Sequence, residues 1–312
     1  MHVSYVMMDL TNQCNFCCKH CYKENNTSLQ EIDHIKAINF LRDMDSFGQR
    51  VHLILSGGEP LMYRYLFDLL DMICDGRKVQ INTNAYYLDK FIDRLELYKN
   101  IKLQISLDGY DENSYYHIRN NHHFRTVLNN ACLAKNQGLD VFFRTTLTSR
   151  TILLYENFIE LSEKIGIPLI LRPIVNTGLE NQKDLAIPFD LLQSWHRECR
   201  ENGLKCYAGE EIISSHCPLI NEDVQFSTLT VDVAGNVYPC MLLKGSRFYM
   251  GNILHDTTDE IMRHSVSVRE QILDLLSQPK CQACGFRKQF GDGTCAISCF
   301  LDREACIREF LQ

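Results

Sequence analysis

The sequence predicts an α/β protein: a partial (β/α)6 barrel with a parallel sheet, followed by a small cysteine-rich domain. Two observations support this prediction. Between residues 1 and 175, short apolar and β-branched runs alternate with longer amphipathic stretches, and parallel strands need such helical crossovers. The 15 cysteines are concentrated near the two ends of the chain. Six strands instead of eight indicate a barrel that does not close, with functional groups at the carboxyl ends of its strands.

Six segments have the length and residue types of strands: Val3–Leu10, Val51–Leu55, Val79–Thr83, Lys102–Leu107, Val141–Thr148 and Pro168–Val175. Five amphipathic stretches between them are predicted helices: Leu29–Phe47, Leu61–Cys74, Leu88–Tyr98, Phe124–Asn136 and Ile152–Ile165. In the first helix, apolar residues recur every three or four positions and are expected on one face: Leu29, Ile32, Ile35, Ile38, Phe40 and Leu41. Ser28 and Glu31 are spaced as a capping box at its start, and Gly48 is placed to end it.

The strand–helix alternation ends after Val175, and a loop is predicted over 176–187. The predicted domains are a barrel core over 1–187, a bridging helix over 188–206 and a C-terminal domain over 207–312. In the last of these, two strand-like segments flank the turn Ala234-Gly235-Asn236, which predicts a hairpin.

The composition excludes several classes of protein. Apolar residues make up 45% and charged residues 23% of the 312-residue chain, as in ordinary globular domains. The longest apolar runs are far shorter than the roughly 18 residues of a membrane span, and the N-terminus lacks a secretory signal pattern. The net charge of −7 and the dispersed Lys and Arg residues argue against nucleic-acid and anionic-membrane partners. We therefore expect a cytoplasmic protein.

Four cysteines lie within residues 14–21, directly after the first predicted strand: Cys14, Cys17, Cys18 and Cys21. Disulfides are disfavoured because no export signal accompanies the cysteines and the cytosol keeps thiols reduced. Cys14, Cys18 and Cys21 are spaced to hold three irons of a [4Fe–4S] cluster and to leave the fourth iron open. Ligation through Cys14, Cys17 and Cys21 is the alternative, as is a zinc site of all four thiolates, which would be cramped.

This cysteine loop resembles the signature of the radical S-adenosylmethionine (radical SAM) enzymes, whose core is a TIM-like barrel. Three further segments resemble motifs of that family and follow in the family's order: Ser56-Gly57-Gly58-Glu59-Pro60, Asn82-Thr83-Asn84 and Ser106-Leu107-Asp108-Gly109. Each comes at the end of a predicted strand. Any one of them alone is explained by a turn or a helix cap, so their joint order carries the resemblance.

The resemblance implies that nine residues contact S-adenosylmethionine: His20, Gly57, Gly58, Glu59, Asn82, Ser106, Asp108, Arg119 and Arg144. Glu59 and the backbone beside it would hold the methionyl ammonium, and Arg119 or Arg144 the carboxylate, as charge-assisted positioning. Residues 106–108 would bond the ribose or the carboxylate. His20 occupies the position where many relatives have an aromatic residue near the adenine.

The C-terminal cysteines resemble the SPASM extension of radical SAM enzymes, which normally holds two auxiliary [4Fe–4S] clusters. By the family pattern, the first auxiliary cluster would be held by Cys217, Cys240 and Cys299, and the second by Cys281, Cys284, Cys295 and Cys306. The gap between Cys284 and Cys295 is longer than in the family. The first auxiliary cluster shows three obvious ligands, so we expect an open iron there or a further ligand such as Cys206. Zinc at the C-terminal cysteine pairs is the alternative.

The resemblance also implies a reaction, in which reductive cleavage of S-adenosylmethionine gives a 5′-deoxyadenosyl radical that abstracts a hydrogen atom. Similar SPASM enzymes mostly modify peptides. The expected outcome is a thioether or carbon–carbon crosslink, or an epimerised residue, in a ribosomally made peptide. Formylglycine formation is disfavoured, because Met241 stands where sulfatase-maturing relatives carry an acidic residue.

The expected partners are the precursor peptide and an electron donor such as flavodoxin or ferredoxin. Since the cysteine motif begins at residue 14, we expect the leader of that peptide to bind the two domains directly or to be brought by a separate leader-binding protein. The first alternative is a radical SAM enzyme acting on a small metabolite or cofactor precursor. The second is an iron–sulfur electron carrier or zinc-binding interaction module, which has no need of the strand-end motifs.

Overall fold

The structure is a computed structural model, and it describes residues 3–21, 28–46, 50–74, 76–174, 184–201, 228–244, 248–277 and 279. The chain forms two compact units. The first unit comprises residues 1–13, 26–80 and 215–312, and the second comprises residues 14–25 and 81–214.

The described strands are β1 Tyr5–Asp9, β2 His52–Ser56, β3 Val79–Thr83, β4 Ile101–Ser106, β5 Asp140–Leu147, β6 Leu169–Pro173, β7 Thr228–Val231, β8 Asn236–Tyr238 and β9 Gly251–Asn252. The described α-helices are α1 His34–Ser46, α2 Leu66–Ile73, α3 Ile92–Leu95, α4 Glu112–Arg119, α5 Phe124–Asn136, α6 Tyr155–Ile165, α7 Phe189–Glu201 and α8 Thr258–Ser277. Strands and helices alternate through β6, which confirms the predicted α/β class. The six predicted strands are present as β1–β6, with ends shifted by at most two residues.

In the first unit, β1 is a central strand and lies between β2 and β7. Both of these pairings are parallel, with Tyr5 opposite His52 on one side and Thr228 on the other. The predicted hairpin is confirmed as the antiparallel pair β7–β8, and β9 pairs with β8. The strand order in this unit is therefore β2-β1-β7-β8-β9. Val6 and Met8 of β1 are fully buried, as expected for a strand covered on both faces.

In the second unit, β4, β5 and β6 form parallel neighbours, with Lys102 opposite Asp140 and Phe143 opposite Leu169. A hydrophobic cluster lies where α6 and α7 pack, and Trp195 is buried there with Phe158. The helix predicted around this tryptophan is present as α7, Phe189–Glu201.

The predicted start of the first helix is wrong. Residues 28–32 lie alongside residues 10–12 instead: the Asn12 backbone N–H donates to Gln30 O at 3.0 Å, and the Ile32 N–H donates to Leu10 O at 2.9 Å. These hydrogen bonds use backbone N–H and C=O groups of residues 28–32 that a helix there would need for its own hydrogen bonds. Asp33 caps α1 by accepting from the Lys36 N–H at 3.0 Å. Ser28 and Glu31 are therefore not its capping box.

The predicted apolar face of the first helix is only partly correct. Ile38, Phe40 and Leu41 are buried, whereas Leu29 is 58% and Ile35 is 54% exposed. Leu29 precedes α1, so the helical periodicity did not apply to it.

Other helices differ from the predicted bounds in the first turn. A 3-10 turn over Pro60–Met62 precedes α2, and similar turns over Leu88–Lys90 and Ile152–Leu154 precede α3 and α6. Helix α4 was not predicted. Its start carries a capping box in which the Ser114 N–H donates to Asp111 Oδ1 at 2.8 Å.

Several predictions fall on residues outside the described ranges: the helix end at Gly48, most of the loop at 176–187, and the last part of the bridging helix, 202–206. The described residues contain no helix that is both long enough and apolar enough to cross a lipid bilayer. The domain boundaries stay a prediction.

Candidate active site

In the first unit, the segment Gly57-Gly58-Glu59 packs directly against the backbone that leads into the cysteine loop. The Gly58 N–H donates to Thr11 O at 2.7 Å, and the Glu59 N–H donates to Gln13 O at 2.8 Å. A Cβ on Gly58 would lie 2.1 Å from Gln13 O, and one on Gly57 would lie 2.6 Å from Thr11 O. Glycine is therefore required for this close backbone approach.

The Glu59 side chain is almost fully buried, with 1% exposure. Its Oε1 accepts a hydrogen bond from the Leu61 N–H at 3.1 Å, which caps the 3-10 turn at Pro60–Met62. Burying a carboxylate is costly unless it is paired or hydrogen-bonded. A buried carboxylate at the end of a barrel strand is suited to binding a cationic ligand group.

In the second unit, the cysteine loop is held by main-chain contacts with α4. The Lys19 N–H donates to Ile118 O at 2.9 Å, and within the loop the Cys21 N–H donates to Cys18 O at 3.2 Å. Cys18 and Cys21 are half-buried, whereas Cys14 and Cys17 are exposed. The loop thus presents its thiols from one short, turned segment.

Asn84, the last residue of the triplet after β3, contacts the same loop. Its Nδ2 donates to Asn15 Oδ1 at 2.8 Å and lies 3.9 Å from Cys14 Sγ. Asn82, which the family resemblance implies as a contact of S-adenosylmethionine, is a half-buried residue of β3. Asn84 is a position of the same triplet that we did not single out, and it contacts the loop.

A buried cluster of charged groups lies beside Cys18. Arg119 Nη1 donates to Cys18 Sγ at 3.4 Å, and Arg119 Nε lies 2.6 Å from Asp108 Oδ2. His20 Nε2 is 3.4 Å from the same carboxylate oxygen. The other oxygen, Asp108 Oδ1, accepts from the Thr146 N–H at 2.6 Å. Three of the predicted contact residues, His20, Asp108 and Arg119, are therefore brought together around one cysteine.

These contacts shift the ionisation of the groups involved. Burial lowers the pKa of His20 to about 4, although the Asp108 carboxylate acts in the opposite direction, so His20 is neutral near pH 7. Burial also raises the pKa of the Cys18 thiol, and the Arg119 guanidinium opposes that shift. For Arg119, burial is the largest single effect and disfavours the charge, but Asp108, Cys18 and Tyr115 together outweigh it and raise the pKa. Arg119 is therefore a permanent cation.

The two remaining predicted contacts lie at other strand positions. Ser106 is the half-buried last residue of β4. Arg144 is an exposed residue of β5, and its Nη1 donates to Gln104 Oε1 at 3.4 Å. Arg119 is thus buried beside Asp108 and Cys18, whereas Arg144 is exposed on β5.

The donor set of the cysteine loop fits an iron–sulfur cluster. Cys14, Cys18 and Cys21 offer three thiols within one short loop. In a [4Fe–4S] cluster each thiolate binds a different iron, so thiols spread along a short loop are suitable. Hydrogen-bond donors next to two of the sulfurs are typical surroundings for such a ligand set.

Among the cysteines assigned to the auxiliary clusters, Cys240 is described and is half-buried next to the 3-10 turn Met241–Leu243. The others lie outside the described residues: Cys217, Cys281, Cys284, Cys295, Cys299 and Cys306, together with the alternative ligand Cys206.

Comparison with family models decides the family. The model of the radical SAM superfamily matches residues 8–163, which include every predicted motif from the cysteine loop to Arg144. The chain belongs to the radical SAM superfamily. A second model, the SPASM iron–sulfur cluster-binding domain, matches residues 221–285. The protein is therefore a radical SAM enzyme, and its two domains imply S-adenosylmethionine, a radical SAM [4Fe–4S] cluster and auxiliary iron–sulfur clusters.

Curated relatives of this radical SAM chain match it over part of its length. A GTP 3′,8-cyclase of Synechocystis is 26% identical over 145 residues, which are 45% of this chain and 44% of the cyclase. An AdoMet-dependent heme synthase of Methanosarcina barkeri is 25% identical over 61% of this chain and 56% of the synthase. The chain spans about half the length of the curated relatives that it matches.

Solved structures resemble the radical SAM chain over nearly all of it. Streptococcus suis SuiB bound to S-adenosylmethionine has a TM-score of 0.73 at 14% identity, over 97% of this chain and 75% of SuiB. The enzyme anSMEcpe with bound AdoMet and a peptide has a TM-score of 0.73 at 15% identity, over 99% of this chain and 96% of its own. These likenesses confirm the fold.

Proposed function

We propose that this radical SAM enzyme modifies a ribosomally made peptide, by forming a thioether or carbon–carbon crosslink or by epimerising a residue. The supporting observation is that the structural likeness to a protein solved with a peptide extends over nearly the whole chain. SuiB has also been seen with its precursor peptide SuiA, and its likeness extends over 97% of this chain. By sequence, two relatives named for GTP cyclisation match 45% and 44% of this chain.

In the proposed enzyme, Cys14, Cys18 and Cys21 hold the radical SAM cluster. When bound, S-adenosylmethionine and that cluster would supply the radical chemistry, a 5′-deoxyadenosyl radical for hydrogen-atom abstraction. Glu59 has a buried carboxyl group, which would pair with the methionyl ammonium. Arg144 is an exposed arginine of β5, and we assign it the methionyl carboxylate.

The remaining predicted contacts would orient the nucleotide. Gly57 and Gly58 allow the backbone to approach the ligand closely, and Asn82 and Ser106 offer polar groups at the ends of their strands. His20 is neutral near pH 7 and would stack as an aromatic ring beside the adenine. The cysteines near the C-terminus would hold two auxiliary clusters. An electron donor such as flavodoxin or ferredoxin would supply the first electron.

The test measures 5′-deoxyadenosine in anaerobically reconstituted protein with S-adenosylmethionine and a reductant. The added substrate is either GTP or a synthetic peptide whose sequence is translated from a short reading frame flanking this gene. The proposal expects the peptide to stimulate 5′-deoxyadenosine formation while GTP does not. Mass spectrometry then separates the outcomes, since a crosslinked peptide is lighter by two hydrogens and an epimerised peptide keeps its mass. Stimulation by GTP alone would contradict the peptide assignment.

A small-metabolite substrate is the second candidate, favoured by the sequence likeness to GTP 3′,8-cyclases and to a heme synthase. The same 5′-deoxyadenosine assay tests this second candidate, with a small metabolite such as GTP added in place of the peptide. A metabolite that is consumed in step with 5′-deoxyadenosine formation would establish this second function.

A further inference from the structure

The Arg119 guanidinium lies between a cysteine sulfur and a buried carboxylate. It donates to Cys18 Sγ at 3.4 Å and faces Asp108 Oδ2 at 2.6 Å. The side chains of Arg119 and Asp108 are 8% and 1% exposed, so water screens this arrangement weakly. The guanidinium is thus already engaged on both sides within the protein.

The fold positions these two side chains through short connections. Asp108 directly follows Leu107, whose N–H is bonded to Arg144 O, and Asp108 Oδ1 accepts from the Thr146 N–H. Arg119 is the last residue of α4, which ends at Asn120 in the left-handed conformation. A Cβ on Gly109 would lie 2.2 Å from Tyr115 N, so the turn after Asp108 packs tightly on α4. The pair is therefore preorganised.

A permanent cation that donates to a ligand sulfur stabilises negative charge on the attached cluster. The reduced form of a cluster is more negative than its oxidised form by one electron. Hydrogen bonds to the sulfurs and nearby charge are known determinants of cluster reduction potentials. Removal of the Arg119 charge should therefore favour the oxidised form, and removal of the Asp108 charge should favour the reduced form.

We propose that Arg119 is a positioning residue for the radical SAM cluster: it donates to Cys18 Sγ, is held by Asp108, and raises the reduction potential of that cluster. This inference rests on the proposed ligation of the cluster by Cys14, Cys18 and Cys21. It gives Arg119 a different role from the carboxylate contact that the family resemblance implied. The methionyl carboxylate is then left to Arg144.

The test is a redox titration of the reconstituted protein without S-adenosylmethionine, followed by electron paramagnetic resonance. The variants are Arg119→Gln, Asp108→Asn and Arg125→Gln, the last removing an exposed arginine of α5 as the charge-matched control. We expect Arg119→Gln to lower the reduced-to-oxidised ratio at a fixed potential by about tenfold, which is about 59 mV for a one-electron couple. Asp108→Asn should shift the ratio in the opposite direction, and Arg125→Gln should not shift it.

A general loosening of the fold would not shift the cluster reduction potential in opposite directions in Arg119→Gln and Asp108→Asn. Equal midpoints in wild type, Arg119→Gln and Asp108→Asn would overturn the inference, as would shifts in the same direction. If the Arg119→Gln protein does not assemble a cluster, the Asp108→Asn variant alone tests the proposal. A cluster reduction potential in Asp108→Asn that is equal to or lower than the wild-type value would then refute it. If instead the wild-type protein forms no cluster on Cys14, Cys18 and Cys21, the proposed function itself has failed.

Discussion

The ammonium of Lys244 forms an ion pair with the carboxylate of Asp9, and the two residues are 235 positions apart in sequence. Asp9 is the buried last residue of β1, just ahead of the cysteine loop. Lys244 directly follows the 3-10 turn Met241–Leu243, next to Cys240. This ion pair adds to the β1–β7 pairing within the first unit and ties the Cys240 segment to β1.

Lys244→Met should destabilise the protein by about 2–3 kcal/mol, because it leaves a buried carboxylate without its cation. The expected cost is below the roughly 3–5 kcal/mol of a fully buried pair, since the Lys244 side chain is 19% exposed. The control is Lys102→Met, which breaks the exposed pair with Asp140 and should cost less than about 1 kcal/mol. Chemical denaturation measures both, and equal losses would show that the Asp9 pair is no stronger than a surface pair.

Cys18→Ala should remove the radical SAM cluster and reduce 5′-deoxyadenosine formation to background, because the cluster then loses one of its three protein ligands. Cys17→Ala is the matched control from the same loop and should keep both the iron content and the activity. The measurements are iron analysis and product quantification. The opposite pattern, with Cys17 required and Cys18 dispensable, would favour ligation by Cys14, Cys17 and Cys21.

Glu59→Gln should weaken binding of S-adenosylmethionine by roughly tenfold to a hundredfold, since the buried carboxylate loses its charge but keeps its shape. The Gln side chain retains an oxygen that accepts from the Leu61 N–H, so the 3-10 turn should persist. Asp68→Asn, at an exposed position of α2, is the control for a lost carboxylate charge. Equilibrium binding to the reconstituted protein measures the effect, and equal affinities for both variants would exclude Glu59 from the site.

Gly58→Ala should lower both the stability and the iron occupancy of the protein. The added methyl group would lie 2.1 Å from Gln13 O, and a backbone atom next to Cys14 cannot rotate away from it. Gly138→Ala is the control, because a Cβ there meets no atom within 4 Å and only its positive φ adds strain. Thermal unfolding and iron analysis compare the two. Normal iron content in Gly58→Ala would show that the cysteine loop tolerates displacement of the Gln13 backbone.

The sequence was sufficient to predict the order of the strands and the motifs, because both depend on local patterns. The strand β3 was predicted with correct ends, and the strand-end segments 56–60 and 106–109 follow β2 and β4 as expected. Hydrophobic alternation and glycine placement report directly on such local structure.

Features that depend on long-range contacts were not predictable in this way. The capping box at Ser28 was outcompeted by backbone bonds between residues 28–32 and 10–12, which no local pattern reveals. The pairing of β1 with β7 and the Lys244–Asp9 ion pair join distant segments. The motif comparison named Asp108 and Arg119 separately, but only the fold shows that they bind each other and surround Cys18.

The proposed cluster ligation is tested by a crystal structure of the reconstituted protein, grown without oxygen and containing S-adenosylmethionine. We expect a [4Fe–4S] cluster on Cys14, Cys18 and Cys21, with S-adenosylmethionine at its fourth iron. We also expect the Arg119 guanidinium on Cys18 Sγ and Asp108. A fourth cysteine ligand on that iron, or nucleotide bound elsewhere, would contradict the central claim.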